Sequence, residues 1–153
     1  WLSPKARMNP DVYRAIQNAD AVIIGPGDLY TSIVPNMVVS GMRNALEKTK
    51  AKIFYPVNIM TKYGETNHFA ASDFVRALEL YVGPRVIDYV IVNNRRPSLI
   101  RAKPYLAEGA NFVELDSENF SSRPMLVAVD VMRSKGLIRH DPEKIVSVIA
   151  SLL

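Results

Sequence analysis

Short apolar runs separated by segments of helical length constrain this 153-residue chain more than any other feature. "AVII" (residues 21–24), "AKIFYPV" (51–57), "IDYVIVNN" (87–94) and "MLVAVDVM" (125–132) are too short for helices and too apolar for solvated loops. Rich in β-branched and aromatic residues, they read as strands buried on both faces. "NFVELD" (111–116) is a further strand candidate. Between them lie helical patterns. In "NPDVYRAIQNAD", Asn9 stands at an N-cap and Pro10 at the first helical position, and Val12, Ala15, Ile16 and Ala19 repeat at helical spacing. This predicts a helix over 10–19.

The spacing predicts one helix over 35–49, with Pro35 near its start. A second covers 71–83, where Ser72 or Ala71 leads in, Phe74, Val75, Leu78 and Tyr81 form an apolar stripe, and Gly83-Pro84 ends it. "SLIRAKPYLAEG" (98–109) reads as helical but interrupted by Pro104, and "DPEKIVSVIASLL" (141–153) as a closing helix capped by Asp141 with Pro142 after it. Alternation of this kind builds βαβ units: a parallel sheet with helices on both faces. No repeat, low-complexity segment or linker divides the chain, so residues 1–153 read as a single α/β domain. Ligands of open parallel sheets bind outside the carboxyl ends of the strands. Three loops leave strand ends here, at 25–32, 58–71 and 93–98.

Composition narrows the function classes. There is no cysteine, which excludes disulfides and thiolate metal sites and fits a cytoplasmic protein. No apolar stretch approaches the roughly 20 residues of a membrane span, and no signal peptide is evident. The net charge of +4 suits an anionic ligand. The basic residues are scattered in short groups (Arg95-Arg96; Lys48, Lys50 and Lys52) without interleaved aromatics, which argues against nucleic acid. The chain opens without an initiator Met and reads as part of something longer.

The first loop, "GPGDLYTSIVPN" (25–36), offers Gly25 and Gly27, where a ligand can approach the backbone, and the hydroxyls of Thr31 and Ser32 beside a helix start. It is neither a Walker A loop nor a Gly-x-Gly-x-x-Gly fingerprint. Local chemistry fits a phosphate site and a capped strand-to-helix turn equally well. The second loop places Asn58, Thr61, Glu65, Thr66 and Asp73 within one excursion. Taken alone, Asp73 is a first-turn helix carboxylate and Glu65 a solvated one. His68 reads as a surface histidine without a second ligand at metal spacing. Arg139 and His140 read as solvated neighbours of the Asp141 cap, although a guanidinium there could pair with a phosphate.

Together these stretches resemble the YvcK-like gluconeogenesis factors, of one superfamily with the 2-phospho-L-lactate transferases (CofD). The resemblance is carried by Gly25-Pro26-Gly27, Leu29-Tyr30-Thr31-Ser32-Ile33 and Pro35-Asn36, then "NIMTKYGET" and "ASDFVRALE", in family order from about residue 9 onward. Tyr30 and Asn36 match the YvcK side rather than the transferase branch. The chain departs from the family pattern at Asp28, Lys62-Tyr63 and Phe74, and lacks the family's Gly-Gly-Gly-Thr-Gly nucleotide loop.

The resemblance implies a Rossmann-like three-layer sandwich with a mostly parallel sheet, here without that N-terminal loop. It implies a cytoplasmic protein that binds UDP-sugars such as UDP-N-acetylglucosamine and is linked to carbon metabolism, cell-wall synthesis and cell shape. No assigned reaction is implied for that branch, and a homo-oligomer is compatible with it. The 25–32 loop would meet the diphosphate, Asn36 and Asn58 would bond polar edges of the ligand, and Tyr105 and Arg139 would contact sugar or phosphate. The transferase branch moves a phospholactyl group from a guanosine dinucleotide donor to a deazaflavin with Mg²⁺, for which Asp28, Glu65 and Asp73 are the available carboxylates.

Overall fold

The computed structural model describes residues 2–153. Four strands, β1 (Ala21–Ile23), β2 (Lys52–Pro56), β3 (Tyr89–Asn93) and β4 (Met125–Val129), form one sheet in the order β1-β2-β3-β4. Every pairing is parallel. The helices are α1 (Pro10–Asn18), α2 (Val34–Met37), α3 (Met42–Lys48), α4 (Ala71–Val82), α5 (Leu99–Ala107) and α6 (Pro142–Ala150).

Strand alternation explains the layers. On one face of the sheet Ile53, Tyr55 and Val57 of the β2 segment and Val90 and Val92 of β3 pack against Leu46 of α3 and Phe74 and Leu78 of α4. The intervening residues Phe54 and Ile91 point to the other face and meet Ile145 and Ile149 of α6, with Val127 and Val129 beside them. Parallel neighbours joined in sequence order by crossovers of one hand place their connections on one face. Val113, Leu115 and Phe120, between α5 and β4, pack on that same face. The opposite face is covered by α6. The chain is therefore an α/β sandwich of three layers, as its strand patterning predicts. Burying a side chain such as Phe74 or Leu78 is worth about 2 kcal/mol.

The predicted caps at Asn9 and Asp141 are present. Asn9 Oδ1 accepts the amide of Asp11 at 2.8 Å, and Asp141 Oδ1 accepts the amide of Glu143 at 3.1 Å. The helix expected over 35–49 is broken. Leu29–Ile33 forms a π-helical turn that runs into α2, and α3 starts anew after Gly41, whose φ of 99° no β-branched residue adopts easily. The break has a tertiary cause: Ser40 pairs with the N-terminal segment, its amide donating to Ala6 and its carbonyl accepting from Met8, both at 3.0 Å.

"NFVELD" is not a strand of the sheet. Only Phe112 forms a bridge, antiparallel to Met60. β3 pairs directly with β4, so no slot remains. The segment caps α4 instead: the Glu114 carbonyl accepts from Ala71 at 2.9 Å, and Asp116 accepts from the amide of Ser72 at 3.0 Å. The residue before α4 is Ala70, not Ala71 or Ser72, and its amide donates to Asp73 at 2.8 Å. Pro104 does not interrupt α5, which continues through it.

Burial alone would raise the Asp116 carboxyl, but hydrogen bonds from Ser72 and Asn119 outweigh it and hold the group below its ordinary range. Asp116→Ala therefore strips the N-terminal cap from α4. Its unfolding free energy in urea should fall by about 1–2 kcal/mol. An unchanged urea midpoint would contradict the capping role.

Candidate functional site

The carboxyl ends of the parallel strands share one edge, and a cavity of about 740 Å³ opens there. Pro26, Gly27, Asp28 and Ser32 reach it from the loop after β1, and Asn58, Thr61 and Lys62 from the loop after β2. Tyr105 and Glu108 close it from the end of α5. Arg133, Ile138, Arg139 and His140 come from the loop between β4 and α6. That loop is tied as a short antiparallel ladder: Met132 bridges His140, the Arg133 amide donates to the Arg139 carbonyl at 2.9 Å, and the Asp141 amide to Val131 at 2.7 Å.

Among the sequence-predicted residues, Gly27, Asp28, Ser32, Asn58, Thr61, Tyr105 and Arg139 are brought together on this cavity. Gly25 and Asn36 border a neighbouring apolar cavity of about 440 Å³, which Gly27 and Ser32 also line. Asn36 Nδ2 donates to the Ser32 carbonyl at 2.7 Å, one helical turn back. The glycines serve close packing: a Cβ on Gly27 would lie 3.1 Å from Ser32 Cβ, and one on Gly25 3.1 Å from Ile33 Cδ1.

Several predicted residues have structural partners instead. Leu29 is buried in the core and Tyr30 is exposed, away from the cavity. Thr31 donates to Glu65 Oε1 at 3.1 Å. Thr61 is buried, and its hydroxyl accepts the Asn111 amide at 2.8 Å. Thr66 is buried and accepts the Lys62 amide at 2.9 Å. Asp73 is held by the Ala70 amide and Arg76. Tyr105 keeps its ring on the cavity while its hydroxyl accepts the Ile138 amide at 3.0 Å.

The electrostatics come in two parts. Lys62 Nζ pairs with Asp28, which crosses from the second loop to the first, and lies 3.5 Å from Glu65 Oε1. The hydrogen bond that Lys62 donates to Asp28 raises the Lys62 pKa and keeps the ammonium charged. Arg133 and Arg139, by contrast, have no carboxylate partner among the described residues. Asn58 Oδ1 is shut off from solvent without a hydrogen-bond partner, a state usually relieved by a bound donor or water.

The fit for a divalent cation is poor. Asp28 and Glu65 share Lys62, Asp73 is engaged at the start of α4, and no group of three or more His, Asp or Glu among the described residues could hold a metal.

Sequence reasoning missed Lys62, Glu108, Arg133 and His140. His140 is not solvated as expected: it is mostly buried, and its Nε2 lies 3.1 Å from the Val57 carbonyl. The sequence signal available was the proximity of His140 to Arg139; the bond to the end of β2 is tertiary.

The sequence and fold are similar to those of known proteins. The family model for 2-phospho-L-lactate transferase CofD matches residues 1–132. A protein of the UPF0052 family from Bacillus halodurans has a crystal structure that superposes with a TM-score of 0.90 at 29% identity, covering 94% of this chain and 46% of that one. The chain belongs to the CofD family.

Within it, the relatives are gluconeogenesis factors of the YvcK type. A relative from Thermotoga maritima is 44% identical over 145 residues, covering 92% of this chain and 46% of its own. The gluconeogenesis factor of Bacillus subtilis is 40% identical over 147 residues, covering 94% of this chain and 46% of its own. The chain thus spans about half the length of these relatives.

Burial lowers the His140 pKa below its ordinary 6.5, and the Val57 hydrogen bond offsets this only in part. As pH falls below about 6.5, the unfolded chain takes up a proton that the folded chain resists. Stability should therefore be fully present above that pH and decline as pH drops toward the folded-state value. Urea midpoints at about pH 7.5 and pH 5.5 check this. His140→Gln should show a smaller difference between the two; an equal difference would remove His140 from the account.

Proposed function

We propose that this chain forms one wall of a nucleotide-sugar site in a regulatory protein linked to carbon metabolism and cell-wall synthesis, the ligand being a UDP-sugar such as UDP-N-acetylglucosamine. The supporting observation is the pair of guanidiniums, Arg133 and Arg139, on a cavity at the ligand edge of a parallel sheet, with no carboxylate partner among the described residues. Guanidinium forks bind phosphate oxygens in a bidentate way, and their charge is best used where no internal carboxylate competes. Gly27 leaves backbone accessible beside them, and Asn58 and the Tyr105 ring supply a polar and a flat apolar contact on the same wall. The residues 1–132 that match the family model include the first two loops.

A 2-phospho-L-lactate transfer is the reading carried by the name of the family model, and the family resemblance adds a guanosine dinucleotide donor and Mg²⁺ to it. It would need carboxylates free to take the cation, and Asp28 and Glu65 are tied to Lys62 instead. Binding is therefore the reading the arrangement favours.

Calorimetry of the full-length protein with UDP-N-acetylglucosamine tests it. Binding in the micromolar range is expected, weakening with added salt as an ion-paired anion does. Arg139→Glu should lower affinity at least tenfold, which is about 1.4 kcal/mol. Undetectable binding of the wild type at millimolar ligand would overturn the proposal, and unchanged affinity in the variant would remove Arg139 from the site.

A further inference from the structure

A carbonyl oxygen only accepts, so the contact between Val57 O and His140 Nε2 at 3.1 Å places the ring proton on Nε2. The other nitrogen, Nδ1, then carries a lone pair. It has no hydrogen-bond partner among the described residues, yet it is not among the polar atoms closed off from solvent. His140 is one of the residues lining the cavity, so a ligand held there is the partner within its reach.

The charged groups that line the same cavity are Asp28 and Lys62 from the first two loops, Glu108 from the end of α5, and Arg133 and Arg139 from the loop of His140 itself. The cations among them can only donate. Asp28 is already paired with Lys62. His140 thus presents a neutral acceptor on the cavity that Arg133 and Arg139, without ion pairs among the described residues, also line.

A fully ionised phosphate offers only acceptors and gains nothing from such an atom. A ligand group that donates, a hydroxyl or an N–H, gains a hydrogen bond. We propose that His140 Nδ1 is a specificity-determining acceptor that reads a donor on the sugar or nucleoside part of the ligand, while Arg133 and Arg139 hold its phosphates. This rests on the phosphate-ligand reading above and assigns to His140 the discrimination between a glycosylated nucleotide and a bare diphosphate. The backbone ladder between Met132 and His140 fixes the reader relative to the anion-holding arginines. Polar groups placed to pair with a ligand hydroxyl reject analogues lacking it, because their own hydrogen bond is then lost.

Two measurements test the assignment on the full-length protein. Long-range ¹⁵N–¹H spectra of histidine-labelled protein at about pH 7.5 should show His140 as the Nε2–H tautomer, with Nδ1 unprotonated. A predominant Nδ1–H tautomer would overturn the assignment without any ligand being involved. Calorimetry then compares UDP-N-acetylglucosamine with inorganic pyrophosphate.

His140→Gln keeps an amide donor able to reach the Val57 carbonyl but has no acceptor at the Nδ1 position. The ratio of the two affinities should fall about tenfold in this variant, by loss on the sugar-nucleotide side. In the wild type the same ratio should fall as the pH is lowered and Nδ1 takes a proton, a second readout that needs no variant to fold. A ratio that changes in neither experiment overturns the role of His140 while leaving the phosphate site standing. Failure of the wild type to bind either probe overturns both.

Discussion

The parallel pairing of β2 with β3, in the register Phe54↔Tyr89, Tyr55↔Val90 and Pro56↔Ile91, is the constraint on which the rest depends. Both strands are buried on both faces, so a one-residue slip would carry Phe54 from the α6 side to the α4 side and Tyr55 the other way. Neither layer has room for that exchange. The same register fixes the ligand edge. The Val57 amide continues the ladder, donating to the Ile91 carbonyl at 2.9 Å, and the Val57 carbonyl then holds His140. A residue from the far side of β4 is thereby set against the end of β2. The cavity is thus an extension of the sheet's hydrogen bonding and not an accident of loop packing.

This explains which parts of the structure can be read from residues alone. The four strands announce themselves by short apolar runs, although only β2 and β3 are buried on both faces while the edge strands β1 and β4 stay partly exposed, and caps such as Asn9 and Asp141 act over two or three residues. The break in the 35–49 segment was not legible, since its cause lies some thirty residues upstream, in the pairing of Ser40 with Ala6 and Met8. "NFVELD" misleads for a related reason. Its apolar pattern is real, as Val113 and Leu115 do reach the core, but its backbone groups are spent on the 59–61 loop and the start of α4.

The candidate site divides along the same line. The loops after β1 and β2 could be placed from the strand pattern and the topology of parallel sheets. The direction of each side chain within them could not. Thr61 and Thr66 have the chemistry of ligand-binding hydroxyls, yet Thr66 closes a backbone turn on Lys62 and Thr61 ties its loop to the distant Asn111 amide. Leu29 belongs to the most specific stretch of the family pattern and is a core residue. Conversely, Arg133 carries no local signature, and His140 only its place beside Arg139. They become site residues only because the sheet brings the loop after β4 to the edge where β1 and β2 end.

Asp28 shows how the two kinds of information combine. A carboxylate in a loop that sequence reads as a possible phosphate site is an electrostatic contradiction, since like charges repel. The contradiction ends once Lys62 is seen to reach across from the second loop. The ion pair is partly exposed and adds little stability by itself. Its effect is geometric and on net charge: it ties the two loops together and leaves the first loop nearly neutral.

The anion-attracting charge of the cavity is therefore not where the glycine-rich loop suggests. It resides in Arg133 and Arg139, which form no ion pair among the described residues and outnumber Glu108, the one lining carboxylate besides Asp28. The glycine-rich loop shapes one part of the lining, and the arginines come from the loop after β4. Such a division separates shape from charge, so that substitutions in the two loops should fail in different ways: crowding at Gly27, where Ser32 is already close, and loss of attraction at the arginines.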